Sequence, residues 1–210
     1  MSTPKTKRPA AAKGKASSNG RSKTAAIESQ PHLHPTSHEI QRFDQIRDLP
    51  IGLDIGVRTA HARALNVILA DTRLLHDLYK KSHWNMRGHT FYQLHLLMDE
   101  HAKAQYVLID ELAERIQTLG AIAVGDPRHV AELTTIERAP DGAEDIPSVL
   151  ARLLAAHETI VVAARELAVA AGEANDTTTE DLLGSQLTPV NELQIWFIAE
   201  HLVDGPLVGA

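Results

Sequence analysis

Five side chains stand out for the chemistry they could do together: His83, His95, Asp99, Asp110 and Glu114. The chain has no cysteine. Thiolate sites and disulfides are therefore excluded, and any metal must rest on imidazole and carboxylate, a donor set suited to iron, zinc or manganese. His95 and Asp99 lie four residues apart, as do Asp110 and Glu114. On a helix that spacing stacks each pair on one face, one turn apart. Asp99 and Asp110 are eleven residues apart, close to three whole turns, so both pairs share roughly one face about 16.5 Å apart along the axis. One straight helix cannot bring both pairs to a metal whose ligand distances are about 2 Å. Two antiparallel copies can. His95 and Asp99 of one chain would then face Asp110 and Glu114 of the other, giving two identical sites per dimer. His83, at the end of the preceding helix, can join the His95 side. Lone i, i+4 pairs of this kind are usually solvated charges on an exposed helix face, and spacing alone leaves that alternative open.

The elements that must position these residues are helical. The apolar period predicts a first helix from about Val57 to Asn85, carrying Leu65, Ile68, Leu69, Leu75 and Leu78 on one face and ending near Gly88. A second runs from about Thr90 to Leu119, stopped by Gly120, with Phe91, Leu94, Met98, Ile109, Leu112 and Ile116 on its stripe. The connection to Glu144 holds Gly125, Pro127, Pro140 and Gly142 and reads as loop, with one short helix near Val130 to Leu133. A third helix starts at Asp145, an N-cap residue, and closes at Gly172. Thr177 and Glu180 stand at capping-box spacing before a fourth, which carries Leu183, Leu187, Val190, Leu193, Trp196 and Phe197. Two helices, a long connection and two more helices make an all-α four-helix bundle with one crossover, the ferritin-like connectivity. The bundle is expected over residues 51–210. Residues 1–50, rich in breakers and without an apolar period, are expected to be a basic and largely disordered tail. No apolar run approaches the roughly 18 residues of a membrane span, so no membrane partner is expected. The basic start lacks the apolar region of a signal peptide, although its composition leaves a transit peptide open.

The stretch Ser82-His-Trp-Asn-Met-Arg-Gly88, followed by Phe91, Leu94, His95, Asp99, Asp110 and Ala113-Glu-Arg115, resembles the signature of the Dps family, the DNA-binding mini-ferritins of starved bacterial cells. The match spans about Leu74 to Gly125, and weaker similarity continues to about Leu202. The resemblance implies a hollow homo-dodecamer with ferroxidase sites at its dimer interfaces, acting in the bacterial cytoplasm and nucleoid. His83, His95 and Asp99 would come from one subunit, and Asp110 and Glu114 from its two-fold partner. Asp99 and Glu114 would be the main iron carboxylates, with Glu114 bridging or binding directly. The histidines would supply nitrogen, one or more ligands acting through water, while Asp110 would steady a histidine or a second iron. Trp84 could intercept an oxidising radical, or be a packed interface aromatic. The implied reaction is oxidation of Fe(II) by hydrogen peroxide and storage of the ferric mineral in the cavity. No glutamate has a histidine three residues later, so the Glu-x-x-His motif of 24-subunit ferritins is missing.

Glu173, Asp176, Glu180 and Asp181 cluster at the turn between the third and fourth helices. By the same resemblance an acidic segment here lines three-fold iron-entry pores, with Asp181 foremost. Helix capping is the alternative. The net charge of −6 hides a split: residues 1–30 hold Lys5, Lys7, Arg8, Lys13, Lys15, Arg21 and Lys23 against Glu28 alone. Removing these from 21 bases and 27 acids leaves 14 and 26, a balance of −12. A basic segment on an acidic body suits sequence-independent binding of DNA phosphates, strengthened by repetition around a shell; a solubilising tail is the alternative. His32, His34, His38 and Glu39 form a further cluster that could hold a second metal such as zinc, or nothing specific. A structural nucleoid-compacting shell with little ferroxidase activity is the rival reading of the whole chain.

Overall fold

Aspartates start most of the helices. Asp54 accepts from the Gly56 amide at 2.7 Å and opens α1 (Ile55–Asn85). Asp126 caps α3 (Pro127–Leu133), and Asp145 caps α4 (Ile146–Glu173), accepting from the Ser148 amide at 2.9 Å. Pro127 and Pro147 sit in the first turns of these two helices, where the missing N–H costs nothing. Between α1 and α3, α2 (Phe91–Thr118) begins without a side-chain cap. The last helix comes in three pieces: α5 (Thr177–Asp181), a π-helical segment Leu182–Leu187, and α6 (Thr188–Glu200). The computed structural model describes residue 31 and residues 33–204, and among these there is no strand. The chain divides into units Met1–His38 and Glu39–Ala210; the bundle belongs to the second.

α1 packs against α2, α3 and α4, and α4 against α6. Leu65, Leu69, Leu75, Leu94, Leu112, Ile116, Leu150, Leu153 and Ile160 are fully buried between them. The connection between α2 and α4 is a crossover pinned by two buried polar side chains of α1. Asn66 donates to the Ile122 carbonyl at 3.1 Å and accepts from the Val124 amide at 2.8 Å. Asp71 accepts from the Thr134 hydroxyl at 2.6 Å and from the amide and hydroxyl of Thr135 at 2.7 and 2.8 Å. This is the all-α, ferritin-like arrangement that the helical periods predict.

Four local features differ from the sequence expectation. The last helix is capped by Asp176, which accepts from the Thr179 amide at 3.2 Å and its hydroxyl at 2.7 Å. Thr177 is already inside the helix, and the Glu180 carboxylate turns back over Gly172, where an added Cβ would meet it at 2.9 Å. The π segment was not foreseen. Its cause stands just after it: Pro189 has no N–H for the carbonyl one turn back and its ring crowds that carbonyl, and a widened turn relieves both. α4 is long and apolar enough to cross a membrane by length and composition, against the expectation that no such run exists; its buried side packs on α1 and α6. Finally, residues 41–49 lie against the bundle. The Arg47 amide and the Gln41 amide side chain both donate to the Gly120 carbonyl, at 2.8 and 2.9 Å, and buried Arg58 donates to the Arg47 carbonyl at 3.1 Å. Gly120, at φ +94°, permits this approach, since a Cβ there would lie 2.5 Å from the Arg47 oxygen.

The interior also carries polar groups from all four long helical stretches. Tyr79, His101, Gln105, His157, Asn191 and Gln194 are buried together, and the Gln105 side chain donates to Gln194 Oε1 at 2.9 Å.

Candidate metal centre

α1 ends where α2 begins, and this hairpin sets His83 against His95. Each ring donates its Nδ1–H to the other residue's backbone carbonyl, His83 at 2.8 Å and His95 at 2.9 Å. A carbonyl can only accept, so both rings carry a proton on Nδ1, and in the neutral form of each the lone pair is on Nε2. That is the tautomer a metal needs, fixed by a hydrogen bond on the far nitrogen. The rings stack at 3.7 Å between centroids, and Phe91 leans on His95 at 5.0 Å.

Asp99 follows one turn along α2, half-buried. Lys80 donates to it at 2.6 Å and Lys103 at 2.7 Å. Hydrogen bonds from Lys103 and then Lys80 hold its carboxyl far below the ordinary carboxylate range. The anion is thereby favoured, and a cation arriving there competes with two ammonium groups. The Lys103 contact follows from i, i+4 spacing, whereas the Lys80 contact exists only in three dimensions.

Asp110 and Glu114 lie further down α2 with exposed side chains. Among the described residues no three potential ligands converge within one chain, as the axial separation of the two pairs requires. The structure stacks His83 on His95 and puts Asp99 one turn beyond His95 on α2, while Asp110 and Glu114 lie further along the same helix. Large apolar side chains are exposed around this stretch: Trp84 at 71 %, with Phe91, Tyr92, Leu96 and Tyr106. Trp84 directly follows His83 in α1.

The lower end of α2 is held by a buried ion cluster that sequence reasoning missed. Arg115 binds Asp176, which also pairs with His61 of α1 at 2.8 Å. Burial pulls the Asp176 carboxyl upward, but the hydrogen bonds of His61 and Thr179 and the charge of Arg115 outweigh it and leave it lowered. At 1 % exposure Asp176 does not stand with the other acidic residues of this turn. Its place in a pore is corrected: this carboxylate caps a helix and neutralises a buried guanidinium. Glu173, Glu180 and Asp181 are exposed, and Asp181 accepts from the Ser185 hydroxyl at 2.7 Å. His34, His38 and Glu39 are exposed as well. His32 and the basic residues Lys5, Lys7, Arg8, Lys13, Lys15, Arg21 and Lys23 lie outside the described residues.

Known proteins share this architecture and much of the sequence. The ferritin-like domain family matches residues 62–208. DpsC from Streptomyces coelicolor is 56 % identical, with a TM-score of 0.80 over 82 % of this chain and 100 % of that one. The DNA protection during starvation protein of Halobacterium salinarum is 29 % identical over 182 residues, 87 % of this chain and 97 % of its own length. The Dps protein of Vibrio cholerae, described as a member of a broad superfamily of ferritin-like diiron-carboxylate proteins, is 29 % identical with a TM-score of 0.70, covering 74 % of this chain and 96 % of that one.

Proposed function

The chain belongs to the Dps branch of the ferritin-like family, and on that footing we propose that it is a ferroxidase and iron store. Fe(II) is its substrate, hydrogen peroxide its oxidant, and ferric mineral accumulates inside a homo-dodecamer of the bacterial cytoplasm and nucleoid. The observation that supports this most directly is the reciprocal His83–His95 pair, whose Nδ1 atoms are both taken by backbone carbonyls, with the Asp99 carboxylate one turn further along α2. Asp110 and Glu114 complete the set only when a second α2 runs antiparallel across it. The exposed Trp84, Tyr92, Leu96 and Tyr106 are the kind of apolar patch that a partner subunit covers. Trp84 would then stand at the iron site, able to give up an electron to a stray oxidant.

The chemistry follows from the pairing. Peroxide needs two electrons to become two waters, and two Fe(II) held together supply them in one event, without release of hydroxyl radical. Asp99 and Glu114 neutralise the ferric product, the imidazoles complete the ligand set, and Asp110 orients from the second shell of contacts. Glu173, Glu180 and Asp181 give iron an acidic entry route. The basic segment before residue 31 attaches the shell to DNA through phosphate contacts, and the cluster His32, His34, His38 and Glu39 is the candidate for a second metal such as zinc. The two lysines on Asp99 favour one rival reading, a DNA-compacting shell whose iron site is nearly silent.

One experiment separates the two. Protein loaded anaerobically with Fe(II) is mixed with hydrogen peroxide and ferric absorbance is followed for wild type and an Asp99→Ala, Glu114→Ala double variant. The ferroxidase reading expects fast oxidation in the wild type and the protein-free rate in the variant. Equal rates in both would leave the compacting shell.

A further inference from the structure

The bundle interior holds a hydrogen-bonded chain that the iron ligands do not use, and its direction is forced. Asn191 donates Nδ2–H to the Leu187 carbonyl at 2.8 Å, so its Oδ1 is the atom facing His157 Nδ1, 2.7 Å away. His157 therefore carries its proton on Nδ1 and presents the Nε2 lone pair to the Tyr79 hydroxyl, which donates to it. The Tyr79 oxygen also faces His101 Nδ1, which donates to it at 3.1 Å. All four side chains are buried. Burial keeps His157 neutral, with its pKa pushed down to about 4, and pushes the Tyr79 phenol well above its ordinary value.

A sealed phenol of this kind cannot lose its proton to solvent. It can lose an electron, provided the proton, made strongly acidic by the oxidation, has an acceptor already in contact. The Nε2 lone pair of His157 is that acceptor. Tyr79 is also close to the iron ligands: it lies four residues before His83 on α1, one turn away on the same side, and its neighbour Lys80 binds Asp99.

We propose that Tyr79 is an internal electron donor to the iron site, passing its phenolic proton to His157 when peroxide meets a site that holds a single Fe(II); this rests on the ferroxidase reading above. Peroxide takes up two electrons and two solvent protons and becomes two waters. One electron comes from Fe(II), which becomes Fe(III). The other comes from Tyr79, which becomes a neutral tyrosyl radical as its proton moves to His157 Nε2 and makes an imidazolium. A later Fe(II) returns the electron, itself becoming Fe(III), and the proton goes back to the phenolic oxygen. A half-filled site can thus complete a two-electron reduction that would otherwise stop at hydroxyl radical.

The test uses the full-length protein, freed of metal, given one Fe(II) per site and mixed with hydrogen peroxide. Ferric absorbance and the freeze-quenched electron paramagnetic resonance signal are read on the same samples. Wild type, Tyr79→Phe, Tyr92→Phe and His157→Gln are compared after size exclusion and circular dichroism confirm folding. A tyrosyl signal is expected in wild type and Tyr92→Phe, lost in Tyr79→Phe and strongly diminished in His157→Gln, with ferric absorbance rising in all four. An undiminished signal in Tyr79→Phe, or ferric absorbance without any tyrosyl signal in wild type, overturns the role of Tyr79 and leaves the ferroxidase standing. An undiminished signal in His157→Gln overturns His157 as proton acceptor. Neither ferric absorbance nor radical overturns both readings together.

Discussion

Histidines do two opposite jobs in this chain, and the difference lies in what surrounds their second nitrogen. His83 and His95, half-buried, spend Nδ1 on a carbonyl and leave Nε2 as the nitrogen that the proposed iron site would use. His101 and His157 are buried and spend their hydrogen bonds on Tyr79 and Asn191. Burial lowers both to about 4, with the proximity of His157 adding to the effect on His101. The unfolded value for histidine is about 6.5, so between about pH 6.5 and pH 4 the unfolded chain takes up protons that the folded chain refuses. The stability they support is fully present above that window and falls as pH drops through it, by roughly 1.4 kcal/mol per pH unit for each ring. Urea midpoints measured across the window should show this slope in wild type and about half of it in His157→Gln. An unchanged slope in the variant would place the acid sensitivity elsewhere. Asp99 adds nothing within this window, because its carboxyl is ionised in both states there; its lysines, which hold it ionised further into acid, add a loss of stability below about pH 4.

At the scale of elements, Gly120 carries the most testable contact. Gly120→Ala combines a positive φ with a Cβ 2.5 Å from the Arg47 oxygen, and a cost of roughly 1–3 kcal/mol is expected. It should appear as a lower denaturant midpoint and faster proteolysis within residues 39–50; wild-type behaviour in both would mean that this segment does not depend on the turn. The helices themselves were legible, because their apolar stripes repeat at 3.6 residues and Asp145 opens α4 as an N-cap should. What escaped depends on partners far apart in the chain. Asp176, Thr177 and Glu180 all fit a helix start locally, and only Arg115 and His61 select Asp176. Phe43 and Ile46 are too sparse to form a period, yet they pack on the core, with Phe43 against His129 at 4.4 Å. Tyr79 and His157 look like ordinary stripe residues until α1 and α4 are side by side. In the same way, the candidate metal centre is legible as two i, i+4 pairs on one helix, whereas the Nδ1 bonds of its histidines need the turn between α1 and α2.

At the scale of the whole molecule, the packing of residues 41–49 tells where a tail deletion should end. Removing residues 1–38 keeps the bundle and residues 41–49 and takes away the seven lysines and arginines of the first thirty residues. Gel retardation of DNA by the full chain should weaken steeply with salt, and the truncated protein should not retard DNA at low salt; equal retardation would move the DNA contact to the remaining residues. On the proposed site shared by two chains, the spacing of the candidate ligands along α2 makes a genetic prediction. One chain defective in His83, His95 and Asp99 and another defective in Asp110 and Glu114 should each be inactive alone. Refolded together, they form mixed dimers in which one site inherits both defects and the other inherits neither. With random pairing about a quarter of all sites is restored, so two dead alleles complement each other. A site built within one subunit would allow no such rescue.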